Sequence, residues 1–190
     1  PMAKYAGEVA VEKGVDRIEQ DEWALRSHQR WTEAQAKGKF EEELIPVEIP
    51  SSKGEKLYLT HDEHPRPDTT IKKLSALKPV YGSPTVTPGN ASGISDGATA
   101  TILMKKEEAQ KRGILPLGKI IAYTPICGEP RESPLLPAVA IKKVLSQSDL
   151  ALEDIKLIEI NEAFAAMPLV SSLVLAEFDR KKAEKIGEKL

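Results

Sequence analysis

Apolar and polar positions along the chain follow two regimes, and the change falls near residue 95. Before it, charged helices alternate with proline-rich loops. Asp16-x-x-Glu19 predicts a capping-box start to a helix running toward Ala36 and ending before Gly38. Ile18 with Leu25, and Ala24 with Trp31, repeat at a spacing that gives this helix a buried stripe. Ile45, Val47 and Ile49 alternate with polar neighbours, but Pro46 confines that strand to an edge. A turn of Ser51, Ser52, Lys53 and Gly54 leads into Leu57-Tyr58-Leu59, its expected hairpin partner. Ile71, Leu74 and Leu77 mark a short helix stopped by Pro79. With no long buried strand, this stretch reads as a lobe that covers something.

From Ser95 onward the pattern is β/α. Ser95 or Asp96 caps an expected helix whose first turns carry Gly97, Ala98 and Ala100, and Gly113 ends it. Gly118 to Tyr123 is expected to be a strand, and Pro134 to Leu145 a helix with Ala138, Ile141, Val144 and Leu145 facing inward. Leu150 to Ile160 then forms an expected buried strand, and Pro168 opens a helix through Leu175. Alternating strands and helices define a layered α/β domain.

Composition narrows the function without choosing it. Of 190 residues 41% are hydrophobic, enough for a sizeable core, and 27 basic residues stand against 29 acidic ones. That balance leaves no electrostatic footprint for nucleic acid. The basic residues Arg180, Lys181, Lys182, Lys185 and Lys189 are interleaved with Asp179, Glu184 and Glu188, which describes a solvated helix face. No stretch reaches the roughly 18 apolar residues of a membrane span, and the cytoplasm is the expected compartment. A single Cys excludes a disulfide framework and a Cys-based zinc site, and the three His residues share no metal spacing. Cys127, in Ile126-Cys127-Gly128, has no base at useful spacing and reads as a passive small residue. His28 is expected to be packed, and His61 and His64 to lie in loops.

Candidate chemistry centres on Asn161, which follows the expected strand Ile155 to Ile160 and so stands at a strand-to-helix turn. Such turns are where α/β proteins place ligands. There an amide can donate into a cleft, or serve as a cap or turn former.

Two motifs convert this position into a family reading. Thr85-Val-Thr-Pro-Gly-Asn-Ala-Ser-Gly-Ile-Ser-Asp-Gly-Ala98 and Asn161-Glu-Ala-Phe-Ala165 together resemble the middle of a thiolase, the family that makes or cleaves 3-oxoacyl-CoA thioesters by Claisen chemistry. The likeness extends over Gly14 to Phe40, His64-Pro-Arg-Pro-Asp-Thr-Thr70 and Leu74 to Pro79, and on to the last helix. It implies a layered thiolase-like α/β fold of two βαβαβαββ halves, only partly present, with a helical and loop covering lobe. In those terms residues 1–94 are the covering lobe, 95–127 the last helix and strand of the first half, and 128–190 the opening of the second half.

The resemblance also assigns residues. Asn161 matches the family's asparagine, which holds a water against the oxyanion that develops in acyl transfer. Glu162 follows it, as a salt-bridge partner or a charge near a helix N-terminus. Ala163 and Phe164 would line the acyl and pantetheine channel, or a buried Phe would serve the core. Arg66 falls where an arginine meets the phosphate end of coenzyme A, a task suited to its forked donors. Ser92, between Ala91 and Gly93, falls where a serine meets the pantetheine amides. Met2 occupies the place of a channel-lining methionine. Coenzyme A is implied as substrate, with acyl-CoA as partner and no separate cofactor or metal, and the complete protein is expected to form a homo-oligomer, dimer or tetramer.

Departures qualify the match. Where biosynthetic thiolases place a histidine before that methionine, Pro1 stands here, and Ser133-Pro-Leu-Leu-Pro137 replaces Met-Gly-x-Gly-Pro. The nucleophilic Cys, the Gly-His-Pro motif and the second Cys of the family have no counterpart in these residues. The chain is therefore expected to be an internal piece of a longer polypeptide and inactive in isolation. The rival expectations are a thiolase-like protein without catalysis, serving as a CoA or lipid carrier or a scaffold, and a ketoacyl synthase relative.

Overall fold

The computed structural model describes residues 1–50 and 55–190. Helix α1, Met2–Glu12, buries Ala3, Ala6, Gly7, Val9 and Ala10 along one face. These small side chains let its backbone lie close to the turn at residues 83–85. A Cβ on Gly7 would stand 2.0 Å from Ser83 Oγ and 3.0 Å from Pro84 Cδ, so the contact admits only glycine.

Helix α2, Arg17–Ala36, begins with the reciprocal capping box expected from the sequence. Glu19 N donates to Asp16 Oδ1 at 2.9 Å, and Asp16 N donates to Glu19 Oε2 at 2.8 Å. The stripe it buries is a different one from the predicted stripe. Gln20, Asp21, Trp23 and Ala24 face inward, whereas Ile18 is exposed and Trp31 stacks at the far end on Phe40, ring centroids 6.1 Å apart. Polar partners elsewhere in the fold receive Gln20 and Asp21, and they override the apolar spacing.

Strands β1, Val47–Ile49, and β2, Leu57–Leu59, pair antiparallel with Val47 opposite Leu59 and Ile49 opposite Leu57. This is the expected hairpin; its predicted turn, Ser51 to Gly54, lies outside the described residues. Helix α3, Ile71–Ser75, is capped by Thr70 and buries Leu74.

The second regime departs from expectation. The helix expected from Ser95 to Gly113 is confined to α4, Lys106–Lys111, although Gly113 does end it with a positive φ of 66°. Residues 118–123 and 155–160 form no ladder; β1 and β2 make the one sheet among the described residues. Side-chain alternation survives without pairing, since Ile158 and Ile160 are buried while Leu157 and Glu159 are exposed. A strand pattern specifies which face is apolar, whereas a ladder needs neighbouring N–H and C=O groups in register. Ile158 N finds a carbonyl at Lys189 instead, at 3.0 Å.

The core gathers around α6, Ala166–Leu175, which packs against α1, α5 (Leu136–Leu145) and α7 (Arg180–Glu188). Seven of its residues are buried, the pattern of a helix covered on most sides. Pro168 sits in the first turn, where its missing N–H leaves no helical bond unmade. Full burial of Val170 or Leu173 stabilises by about 1.5–3 kcal/mol each.

Candidate functional site

The two sequence motifs meet. Ala91 and Phe164 form an isolated antiparallel bridge. On one side of it Ala165 N donates to Asn90 O at 2.9 Å; on the other Ser92 N donates to Ala163 O at 3.2 Å. The Ser92 hydroxyl donates to the same carbonyl, also at 3.2 Å. The chain at 90–92 is thus laced to the turn at 161–165, which Ala163 N closes by donating to Asn161 O at 2.9 Å.

A buried polar network holds the first of these strands in place. Asn90 is only 3% exposed, and its amide is used almost fully. Oδ1 accepts from Thr87 N at 2.8 Å, while Nδ2 donates to Asp21 Oδ1 at 3.0 Å and to Thr85 O at 3.2 Å. Asp21 is neutralised by Arg17, Nε to Oδ2 at 2.8 Å, and the other arm of Arg17 donates to the carbonyls of Leu74 and Leu77. Gln20 Oε1 accepts from Thr85 Oγ1 at 3.3 Å. Helix α2 therefore sets the position of Asn90, and Asn90 sets that of Ala165.

A second tie runs from α2 to the turn itself. Trp23 Nε1 donates to Glu162 Oε1 at 2.9 Å and Ser27 Oγ donates to Glu162 Oε2 at 2.7 Å. Among the described residues Glu162 makes no salt bridge, and its carboxylate accepts from these two neutral donors. The Arg26 guanidinium lies over the Trp23 ring, 3.6 Å from its centroid. Burial pulls the Arg26 pKa down, the charge of Arg30 adds to that, and Glu162 opposes both.

The remaining site residues fall as follows. Asn161 is exposed, and its amide has no hydrogen-bond partner among the described residues. Ala163 and Phe164 are half-buried, and Phe164 packs against the core. Gly93 is exposed on the loop side yet closely approached: a Cβ there would stand 2.2 Å from His64 Cε1. His64 Nε2 is 3.2 Å from Ile94 O, so this contact brings the loop of Arg66 beside the Ser92 segment. The Arg66 side chain is exposed, while its backbone N donates to His28 Nδ1 at 3.2 Å. His28 is half-buried, as expected. Burial first, and the Arg66 charge second, hold its pKa below the usual histidine value, against the opposite pull of Glu162. Met2, 46% exposed on the first turn of α1, stands outside this hydrogen-bonded cluster.

Arg17, Gln20, Asp21, Trp23, Ser27 and Asn90 escaped the sequence reading. The signal available was the Arg17 and Asp21 pair one helical turn apart, followed by a tryptophan, on a helix with few large apolar residues. Two surface grooves, of about 400 Å³ against α2 and α7 and about 610 Å³ between α5 and α7, are not lined by Asn161, Arg66, Ser92 or Phe164. Cys127 is exposed. Among the described residues no three His, Cys, Asp or Glu side chains group as a metal site, and no helix is long and apolar enough to cross a membrane.

A chain whose two motifs are laced together and tied to helix α2 has clear counterparts among known proteins. The model of the thiolase N-terminal domain matches residues 1–107, and that of the thiolase C-terminal domain matches residues 114–187. The chain belongs to the thiolase family. It is 45% identical over 170 residues to a beta-ketoadipyl-CoA thiolase of Pseudomonas aeruginosa, covering 89% of this chain and 42% of that protein. It is 42% identical over 166 residues to the mitochondrial 3-ketoacyl-CoA thiolase of Bos taurus, covering 87% of this chain and 42% of that protein. The crystal structure of the Bacillus anthracis acetyl-CoA acetyltransferase superposes with a TM-score of 0.87 at 40% identity, over 95% of this chain and 46% of that one. The chain spans less than half the length of these relatives and carries a part of the thiolase fold.

Proposed function

We propose that this chain is the part of a thiolase-type acyltransferase that holds the catalytic asparagine and the coenzyme A contacts, serving Claisen condensation or thiolytic cleavage of 3-oxoacyl-CoA thioesters. The nucleophile is a cysteine outside these residues. In the cleavage direction its thiolate bonds to the 3-carbonyl carbon, the bond between C2 and C3 breaks, and the electron pair becomes an enolate that is then protonated. The acyl group passes from cysteine to the thiol of coenzyme A. Both the tetrahedral oxygen and the enolate oxygen need preorganised donors, each worth roughly 3–4 kcal/mol of barrier.

The observation that carries this reading is the lacing of Ser92 to Ala163 beside Asn161. It supports a single site in which Asn161, with a free amide, directs a water or its own N–H at the developing oxyanion. The Ser92 hydroxyl spends its proton on Ala163 O and keeps lone pairs to accept from a pantetheine amide. Ala91 and Gly93, without bulk, let that arm approach the backbone. Ala163 and Phe164 line its channel with Met2, and the exposed Arg66 takes the phosphate end. Coenzyme A enters as substrate, the complete protein is a cytoplasmic dimer or tetramer, and no metal takes part.

The test is the loss of free thiol when acetoacetyl-CoA and coenzyme A are supplied to the full-length polypeptide. Asn161→Ala should lower turnover by about 10²-fold with little change in affinity for coenzyme A. Unchanged turnover removes Asn161 from the mechanism.

A further inference from the structure

We propose that Glu162 is a positioning residue, a carboxylate clamp through which helix α2 of the covering lobe aims the Asn161 amide. This rests on the reading of Asn161 given above. The two oxygens of one carboxylate take two different donors, the Trp23 indole at 2.9 Å and the Ser27 hydroxyl at 2.7 Å. Trp23 and Ser27 lie one turn apart on α2 and present those donors from one face. Their convergence fixes the direction of the Glu162 side chain as well as its distance, and hydrogen bonds to an ionised acceptor are the stronger kind. The two bonds therefore restrict how far the peptide unit shared by Asn161 and Glu162 turns while the clamp stays closed.

The donors are themselves held. Trp23 is 7% exposed; Arg26 covers its ring and donates from Nη1 to Gly187 O of α7 at 3.1 Å. A Cβ on Gly187 would meet Trp23 Cζ3 at 3.6 Å, ordinary contact distance, so α7 lies directly against the indole. The residue after Ser27 is His28, which accepts from the backbone of Arg66. One short stretch of α2 thus carries both the loop of the coenzyme A arginine and the turn of the catalytic asparagine. Glu162 itself is exposed, which limits what the clamp adds to folding and leaves direction as its main effect.

The clamp is tested in the full-length thiolase containing this segment by steady-state kinetics on Glu162→Ala, Glu162→Gln, and the double variant Trp23→Phe with Ser27→Ala, which keeps the aromatic ring and removes both donors. The expected result is a fall in kcat of roughly 10- to 100-fold, the scale of a misplaced catalytic group, with KM for coenzyme A within about twofold of the parent. In the Asn161→Ala background the same changes should cost no further turnover. Full kcat in the double variant, or an equal fall on top of Asn161→Ala, overturns the clamp while Asn161 keeps its role. Full kcat in Asn161→Ala alone overturns the reading of Asn161 and the clamp together. Thermal melts accompany each variant, and a loss of melting temperature with kcat intact also counts against it.

Discussion

Ser92 donates both its backbone N–H and its hydroxyl to the carbonyl of Ala163, 71 residues further along the chain, each at 3.2 Å. Two segments that the sequence shows only as separate motifs become one edge, with Asn161 at its end. Three-residue lacing of this kind cannot hold itself against water, and its persistence depends on the buried network behind it.

That dependence makes Asn90 the sensitive point. Asn90→Ala leaves Thr87 N and Asp21 Oδ1 without the partners they have now, inside a region that excludes water. The expected cost is about 1–3 kcal/mol for each unsatisfied buried group, read as a lowered urea midpoint with an unchanged slope. A midpoint equal to that of the parent would show the network to be incidental.

Gly93→Ala should act locally. The added Cβ collides with the His64 ring, a side chain that can swing away, so the fold survives while the His64 to Ile94 contact is lost. KM for coenzyme A should rise in the full-length protein with kcat held. Adding His64→Ala should restore KM, because the collision partner is gone; failure of that rescue would place the effect elsewhere.

Arg66→Ala removes an exposed guanidinium that has no side-chain partner among the described residues. Stability should change by less than about 0.5 kcal/mol, as for surface sites generally. KM for coenzyme A should rise, and should rise less for a thioester lacking the nucleotide. A pure kcat effect would contradict the assignment to the phosphate end.

His28 supplies a pH dependence. Its neutral ring accepts from Arg66 N, and its pKa is lowered by burial and by the Arg66 charge. In the unfolded chain the ring takes a proton near pH 6.5, where the folded form still resists it. Between the two values the unfolded state binds more protons, so stability is fully present above pH 6.5 and falls as pH drops toward the lowered value. An NMR titration of the His28 ring should give a midpoint below the usual one, and His28→Gln should flatten the slope of stability with pH in that window.

Much of the local structure was legible. The capping box at Asp16 and Glu19, the partnership of residues 47–49 with 57–59, the stop at Gly113 and the family motifs themselves all follow from residues within a few positions of one another. That 118–123 and 155–160 stay unpaired was not legible, because an apolar strand-like pattern names a face and leaves the neighbour unspecified. Nor was the buried side of α2, where Ile18 is exposed and Asp21 is 3% exposed. Burial of Asp21 or Gln20 is stable only where Arg17, Asn90 and Thr85 arrive to meet them, and no local spacing announces those partners.

The chain by itself determined its helix starts and stops and its membership of the thiolase family, because caps and motifs are short-range matters of residue type and spacing. Only the tertiary structure decided that Asp21 meets Asn90 across 69 residues and that Glu162 meets Trp23 across 139. A hydrogen bond needs both partners in place, and no single stretch of sequence records where the other half will be.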